Sequence, residues 1–174
     1  ISVPVVTRRA GVSQGLFYHY FDDLDDAFIA LVEDRIVPRL AEAGSCVEVD
    51  VDAGEDLERS LTQWYESLAK LLLNEPHLVR ATLLAAPTGT GRASDYCRET
   101  IDGLRLWGKD LLDEVNGTGP YRLVDTSLVS QMVVGMIVQC ALTGLGDTDP
   151  HYWAQQMARF EVWGLVRRQN EPQE

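Results

Sequence analysis

From residue 23 onward, apolar residues recur three and four positions apart, and nowhere do apolar and polar residues alternate for long enough to make a convincing strand. A chain patterned this way buries helical stripes against one another, so the expected class is all-α. At 174 residues it is long enough for one real core. Its 45% hydrophobic and 24% charged content is that of a folding globular chain rather than a disordered one.

The stop and start signals divide the pattern. Asp23 is a good N-cap, with Asp25 and Asp26 in the positive first turn of a helix that carries Ala27, Phe28, Leu31, Val32 and Ile36, and Pro38 kinks or ends it. Residues 44–55 read as a surface linker. Asp56 to Asn74 is a long amphipathic helix with Leu57, Leu61, Trp64, Tyr65, Leu68, Leu71 and Leu72, and a shorter one restarts at Pro76 and runs to about Ala86. Pro87 to Arg92, PTGTGR, reads as a flexible break, with Ser94 capping the next helix, which ends at Asn116-Gly117. Two helices close the chain: Asp125 to Thr143, apolar on nearly every side, and Pro150 to about Gln169, with Trp153, Met157, Phe160 and Gly164 on one face.

Charge is unevenly spread. The whole chain carries 15 basic and 27 acidic residues, net -12, which repels nucleic acid. Residues 1–21 contain Arg8 and Arg9 and no carboxylate, so this small end has the charge of a segment with its own polyanionic partner. Cys46, Cys97 and Cys140 are widely spaced with no CxxC pair, and no signal-peptide pattern precedes them, which implies reduced thiols in a cytoplasm. The apolar run from Leu128 to Leu145 is broken by Ser130, Gln131, Gln139 and Thr143 and reads as a buried helix rather than a membrane span.

The densest signal is VPVVTRRAGVSQGLFYHYF, residues 3–21. Pro4 suits the first turn of a helix that reaches Ala10, Gly11 supplies a tight turn, and Ser13 caps a second helix with Val12 and Phe17 spaced as a hydrophobic staple. Phe17 and Phe21 bury one face, leaving Gln14, Gly15, Tyr18 and His19 together on the other. Two short helices joined by a Gly turn make a helix-turn-helix, whose second helix enters the major groove of DNA. Gln14 can pair with an adenine edge, and Gly15 allows close backbone approach. Ser13, Leu16, Tyr18, His19 and Tyr20 complete the reading surface, with Arg8 and Arg9 on phosphates.

Ala10-Gly11-Val12-Ser13, then Gly15, then Phe17-Tyr18-His19-Tyr20-Phe21, followed at once by a helix with Ala27, Phe28 and Leu31, resembles the tetracycline-repressor (TetR) family of bacterial transcription regulators. The match covers about 30 residues, and the rest corresponds only in its succession of helices. The resemblance implies a homodimer with a DNA-binding head over residues 1–22, preceded by one further helix, and a ligand-binding and dimerisation body over residues 23–174. It also implies a repressor that leaves operator DNA when a small molecule binds. Relatives place a Lys at the start of the helix after the motif; here that position is Leu24, among Asp22, Asp23, Asp25 and Asp26. Those acids motivate an alternative: a helical dimer of the same fold that binds a ligand or protein partner without reading DNA.

Within the body, Trp64, Tyr65, Leu68, Trp107, Met132 and Met136 are candidate lining for an apolar or aromatic effector, with Glu66, Glu99 and Gln139 as polar handles. Gly135, Ala141, Gly144 and Gly164 beside Trp153, Met157, Phe160 and Trp163 make the last two helices the expected dimer seam. His19, His77 and His151 lie far apart, and there is no HExxH, GxSxG or Walker-type GxxxxGK[ST]. No enzyme, metal site or cofactor is expected. Cys46 has no basic neighbour to lower its pKa, so it is not read as a redox sensor.

Overall fold

A computed structural model describes residues 1–45, 47, 54–117 and 121–165. Among these the chain is all-α, an amino-terminal helix-turn-helix followed by a helical body. Helix α1 spans Val3–Ala10 with Pro4 in its first turn, and ends at Gly11, whose φ of 70° places it in the left-handed region that glycine adopts without strain. Helix α2 spans Gln14–Tyr20 and is capped by Ser13, whose Oγ accepts from the Leu16 amide at 3.1 Å. Helix α3, Leu24–Arg35, is capped by Asp23, whose carboxylate accepts from the Asp26 amide at 2.9 Å. Pro38 falls in the first turn of a new helix, α4, Val37–Gly44, where its missing N–H costs nothing.

Five longer helices follow: α5 Gly54–Asn74, α6 Pro76–Thr88, α7 Arg92–Val115, α8 Thr126–Thr143 and α9 Pro150–Leu165. Two boundaries differ from the sequence reading. Pro87 lies inside the last turn of α6, and α7 starts at Arg92 after Gly91 rather than being capped by Ser94. Ser94 is instead buried and donates its hydroxyl hydrogen to the Ala85 carbonyl at 2.7 Å, tying α7 to α6 across the break. The break therefore shrinks to residues 89–91, because Gly89 and Ser94 both donate to the Ala85 carbonyl. Cys46, most of the 44–55 linker, residues 118–120 and the extension of the last helix beyond Leu165 lie outside the described residues.

The broadest helix contact is α5 on α9. Leu57, Leu61, Trp64, Tyr65 and Leu68 meet Trp153, Ala154, Met157, Ala158 and Val162 in one core cluster. Full burial of a large apolar side chain stabilises by roughly 1.5–3 kcal/mol, so this seam holds the body together. One charged group sits in it: Glu161, which accepts from the Tyr65 hydroxyl at 2.7 Å. Burial pushes the Glu161 carboxyl above its usual range, and burial followed by the facing carboxylate pushes the Tyr65 phenol up. A second cluster joins Val32 and Ile36 of the α3–α4 segment to Leu71, Val79 and Ala141, so the helix that follows the head is rooted in the body.

The carboxy-terminal helices divide differently from expectation. Trp153 and Met157 close the monomer core, whereas Phe160 and Gly164 are exposed, because the stripe facing α5 runs through 153, 154, 157, 158, 161, 162 and 165. Nor is α8 a buried helix. By length and composition it could cross a membrane, yet only Thr126, Ser130, Ile137 and Ala141 are buried, and Leu128 and Met132 are exposed. With Tyr152, Phe160 and Trp163 they leave large apolar groups of both helices in solvent.

Candidate nucleic-acid interface and effector cavity

Phe17 is the buried anchor of α2, in edge contact with Tyr18 and tilted contact with Phe21, each at 5.4 Å between ring centres. That anchor turns the rest of the helix outward. Gln14, Gly15, Leu16, Tyr18, His19 and Tyr20 are all exposed, with Tyr18 at 57% and Tyr20 at 68%. His19 and Tyr20 rings meet edge to face at 4.9 Å. Ser13 spends its oxygen on the cap and keeps its hydroxyl hydrogen to donate. Arg8 and Arg9 are exposed in the last turn of α1, and among the described residues neither has a carboxylate partner. Every residue read from sequence as the DNA surface is thus solvent-facing, with hydrogen-bonding, aromatic and cationic groups in one α1–turn–α2 unit.

Three of the four aspartates behind this unit, Asp23, Asp25 and Asp26, have partners inside the protein for their carboxylates. Asp23 caps α3 and also accepts from one nitrogen of the Arg92 guanidinium, whose Nη2 lies 2.8 Å from each carboxylate oxygen. The Asp26 amide and then the Arg92 side chain hold the Asp23 carboxyl below its usual range. Asp26 accepts from the Asp22 amide at 3.1 Å. Asp25 accepts from the Ala93 amide at 3.3 Å, an anion at the positive amino end of α7. Gly91 permits this approach: its φ is 107°, and a Cβ there would lie 3.0 Å from the Asp25 carboxylate. A clasp of Asp23 and Asp25 on Arg92 and Ala93 therefore fastens the start of α3 to the start of α7.

Along α7, beyond the clasp, lies a cavity of about 610 Å³, the size of a site for a drug-sized ligand. Its walls are Val37, Leu40 and Ala41 of α4, Trp64 of α5, and Gly103, Leu104 and Trp107 of α7, with Tyr96, Glu99 and Thr100 as polar groups. The Trp64 and Trp107 indoles stack at 5.2 Å and 28°. Of the side chains expected at an effector site, the structure brings Trp64, Trp107 and Glu99 together here. Tyr65 is fully buried toward Glu161 and Trp153, and Leu68 lines a separate interior space of about 60 Å³. Met136 packs on the core, Met132 faces solvent, and Gln139 is exposed on α8. Glu66 pairs with His151 in a polar groove between α5 and α9. Sequence reasoning missed Val37, Leu40, Ala41 and Gly103, whose signal is weak because small and aliphatic residues on a helix look alike whether they face a core or a void.

No group of His, Cys, Asp and Glu among the described residues is arranged to hold a metal ion. No protein-family model matches the sequence, and none of the curated proteins does. Among solved structures, the fold is similar to that of the fatty acid degradation regulator FadR from Bacillus halodurans, with a TM-score of 0.74 at 21% identity over 94% of this chain and 88% of that one. It is similar too to the transcriptional regulator FadR from Bacillus subtilis, solved in complex with stearoyl-CoA, with a TM-score of 0.69 at 20% identity over 94% and 88%.

Proposed function

We propose that this protein is a DNA-binding transcriptional regulator of the TetR kind: a homodimeric, cytoplasmic repressor released from its operator by a small molecule, and not an enzyme. The single observation that carries the reading is the outward presentation of Gln14, Gly15, Tyr18, His19 and Tyr20 on a helix anchored by Phe17, beside Arg8 and Arg9, which have no carboxylate partner among the described residues. Residues 1–22 are the reading head and residues 23–174 the body. The alternative of a dimer that ignores DNA rested on the aspartates, and Asp23, Asp25 and Asp26 are each engaged in caps or in the clasp.

Two features support ligand control. One helix, α7, carries both the cavity wall and the clasp that fastens the start of α3, the element directly after the reading helix. A molecule in the cavity that favours one placement of α7 therefore biases the placement of the head, and its differential affinity for the two placements sets the change in DNA affinity. The exposed apolar groups of α8 and α9 support self-association, since a second copy covers Leu128, Met132, Phe160 and Trp163 in a four-helix seam. The test is simultaneous replacement of Gln14, Tyr18 and His19 by Ala. Operator binding lost with the fold and dimer intact sustains the proposal, and operator binding retained refutes the assigned reading surface.

A further inference from the structure

The chemistry of the cavity wall restricts what enters it. Glu99 is the one charged side chain among the described lining residues, and no Lys, Arg or His lines the space. A second carboxylate, Glu33, acts on the hydroxyl of the lining residue Tyr96. Burial, followed by Glu33, raises the Tyr96 phenol above its usual range, so the hydroxyl stays protonated and keeps donating to that carboxylate. An anionic head group brought here meets like charge and finds no guanidinium or ammonium partner.

The cavity also has an aromatic wall. Trp64 is 3% exposed and stacks on Trp107, whose indole is held from the other helix by Gly44, where a Cβ would lie 3.4 Å from the ring. Tryptophan has the strongest ring quadrupole for attracting a cation, and desolvation in a pocket strengthens that attraction. Gly103 lines the cavity and is exposed, and a Cβ added there meets nothing within 4 Å, so a side chain at this position projects into open space.

We propose that the effector is a planar aromatic cation, with its ring against the Trp64–Trp107 wall and its charge beside Glu99. This deepens the proposed ligand control and rests on that reading of the cavity. The experiment is calorimetric titration of the full chain with three probes: ethidium, its uncharged ring parent phenanthridine, and stearoyl-CoA as a multiply anionic probe with an apolar tail. Three proteins are compared, the parent, Glu99→Gln and Gly103→Leu; leucine favours the helix and fills the space. Ethidium is expected to bind the parent most tightly, to weaken about tenfold in Glu99→Gln while phenanthridine moves less than twofold, and to be lost in Gly103→Leu. If phenanthridine or stearoyl-CoA binds more tightly than ethidium and Gly103→Leu abolishes it, the cationic class is overturned and the cavity survives as the effector site. If ethidium binding is indifferent to Glu99→Gln, the charge assignment is overturned. If no probe binds, or Gly103→Leu leaves every affinity unchanged, both the ligand class and the effector cavity fall.

Discussion

Replacing Trp163 with Ala is expected to split the proposed dimer without unfolding the protomer. The indole is 73% exposed in the isolated chain, so its removal leaves no cavity in the core. A covered aromatic side chain buries roughly 150–250 Å². About 150 Å² of Trp163 is thus left for a partner to cover, which at about 25 cal/mol per Å² is an upper value of about 4 kcal/mol per protomer. Side-chain ordering and imperfect packing at interfaces take back about half, leaving ~2 kcal/mol. A two-fold interface uses the residue twice, so the loss is about 4 kcal/mol, or a dimer dissociation constant roughly 1000-fold weaker. Sedimentation equilibrium across a concentration series measures the constant directly, and circular dichroism confirms that the helix content is retained. A dissociation constant within threefold of the parent refutes the reasoning, because α9 then lies outside the seam.

Three further outcomes follow from the same geometry. With Arg8 and Arg9 both changed to Ala, four phosphate contacts are lost from a dimer, and the slope of log affinity against log salt should become shallower by about 3.6; an unchanged slope measured by fluorescence anisotropy removes these residues from the phosphate contacts. Glu161 has its folded-state pKa raised by burial above the unfolded value of about 4.5, so stability is full below that value and declines as pH rises toward the folded pKa. Glu161→Gln, which still accepts from Tyr65, should therefore raise the urea midpoint more at pH 7 than at pH 4, and an equal shift at both contradicts the buried-acid account. Arg92→Ala opens an exposed ion pair and should leave thermal stability almost unchanged. It should instead weaken ligand-induced DNA release while ligand affinity stays constant, and full release in this variant refutes the clasp as the link.

Local chemistry made the front of the chain legible. Ser13, Gly11 and Asp23 act on neighbours within four residues, so their roles as caps and turn can be read from order alone. The cavity was only half legible, since Trp64 and Tyr65 are adjacent large aromatics on one helix and nothing local says that Trp64 reaches a void while Tyr65 turns to Glu161. The clasp was not legible at all. Asp23 and Arg92 are 69 positions apart, and the aspartates looked like a hindrance to DNA until their partners came into view. Ser94 misled for a related reason: a good cap residue is equally good at bonding a carbonyl across a turn, and here Ala85 is closer to hand than a free helix end. Trp153, Met157, Phe160 and Trp163 look alike in the sequence, and only packing against α5 separates the buried first pair from the exposed second pair.

The most direct test of the central claim is selection of bound sequences from random duplex DNA by the intact protein, at low and moderate salt. The account predicts enrichment of an inverted repeat whose half-sites are spaced for two heads on one face of the duplex, lost when Gln14, Tyr18 and His19 are Ala. A folded, dimeric protein that enriches no sequence at either salt contradicts it.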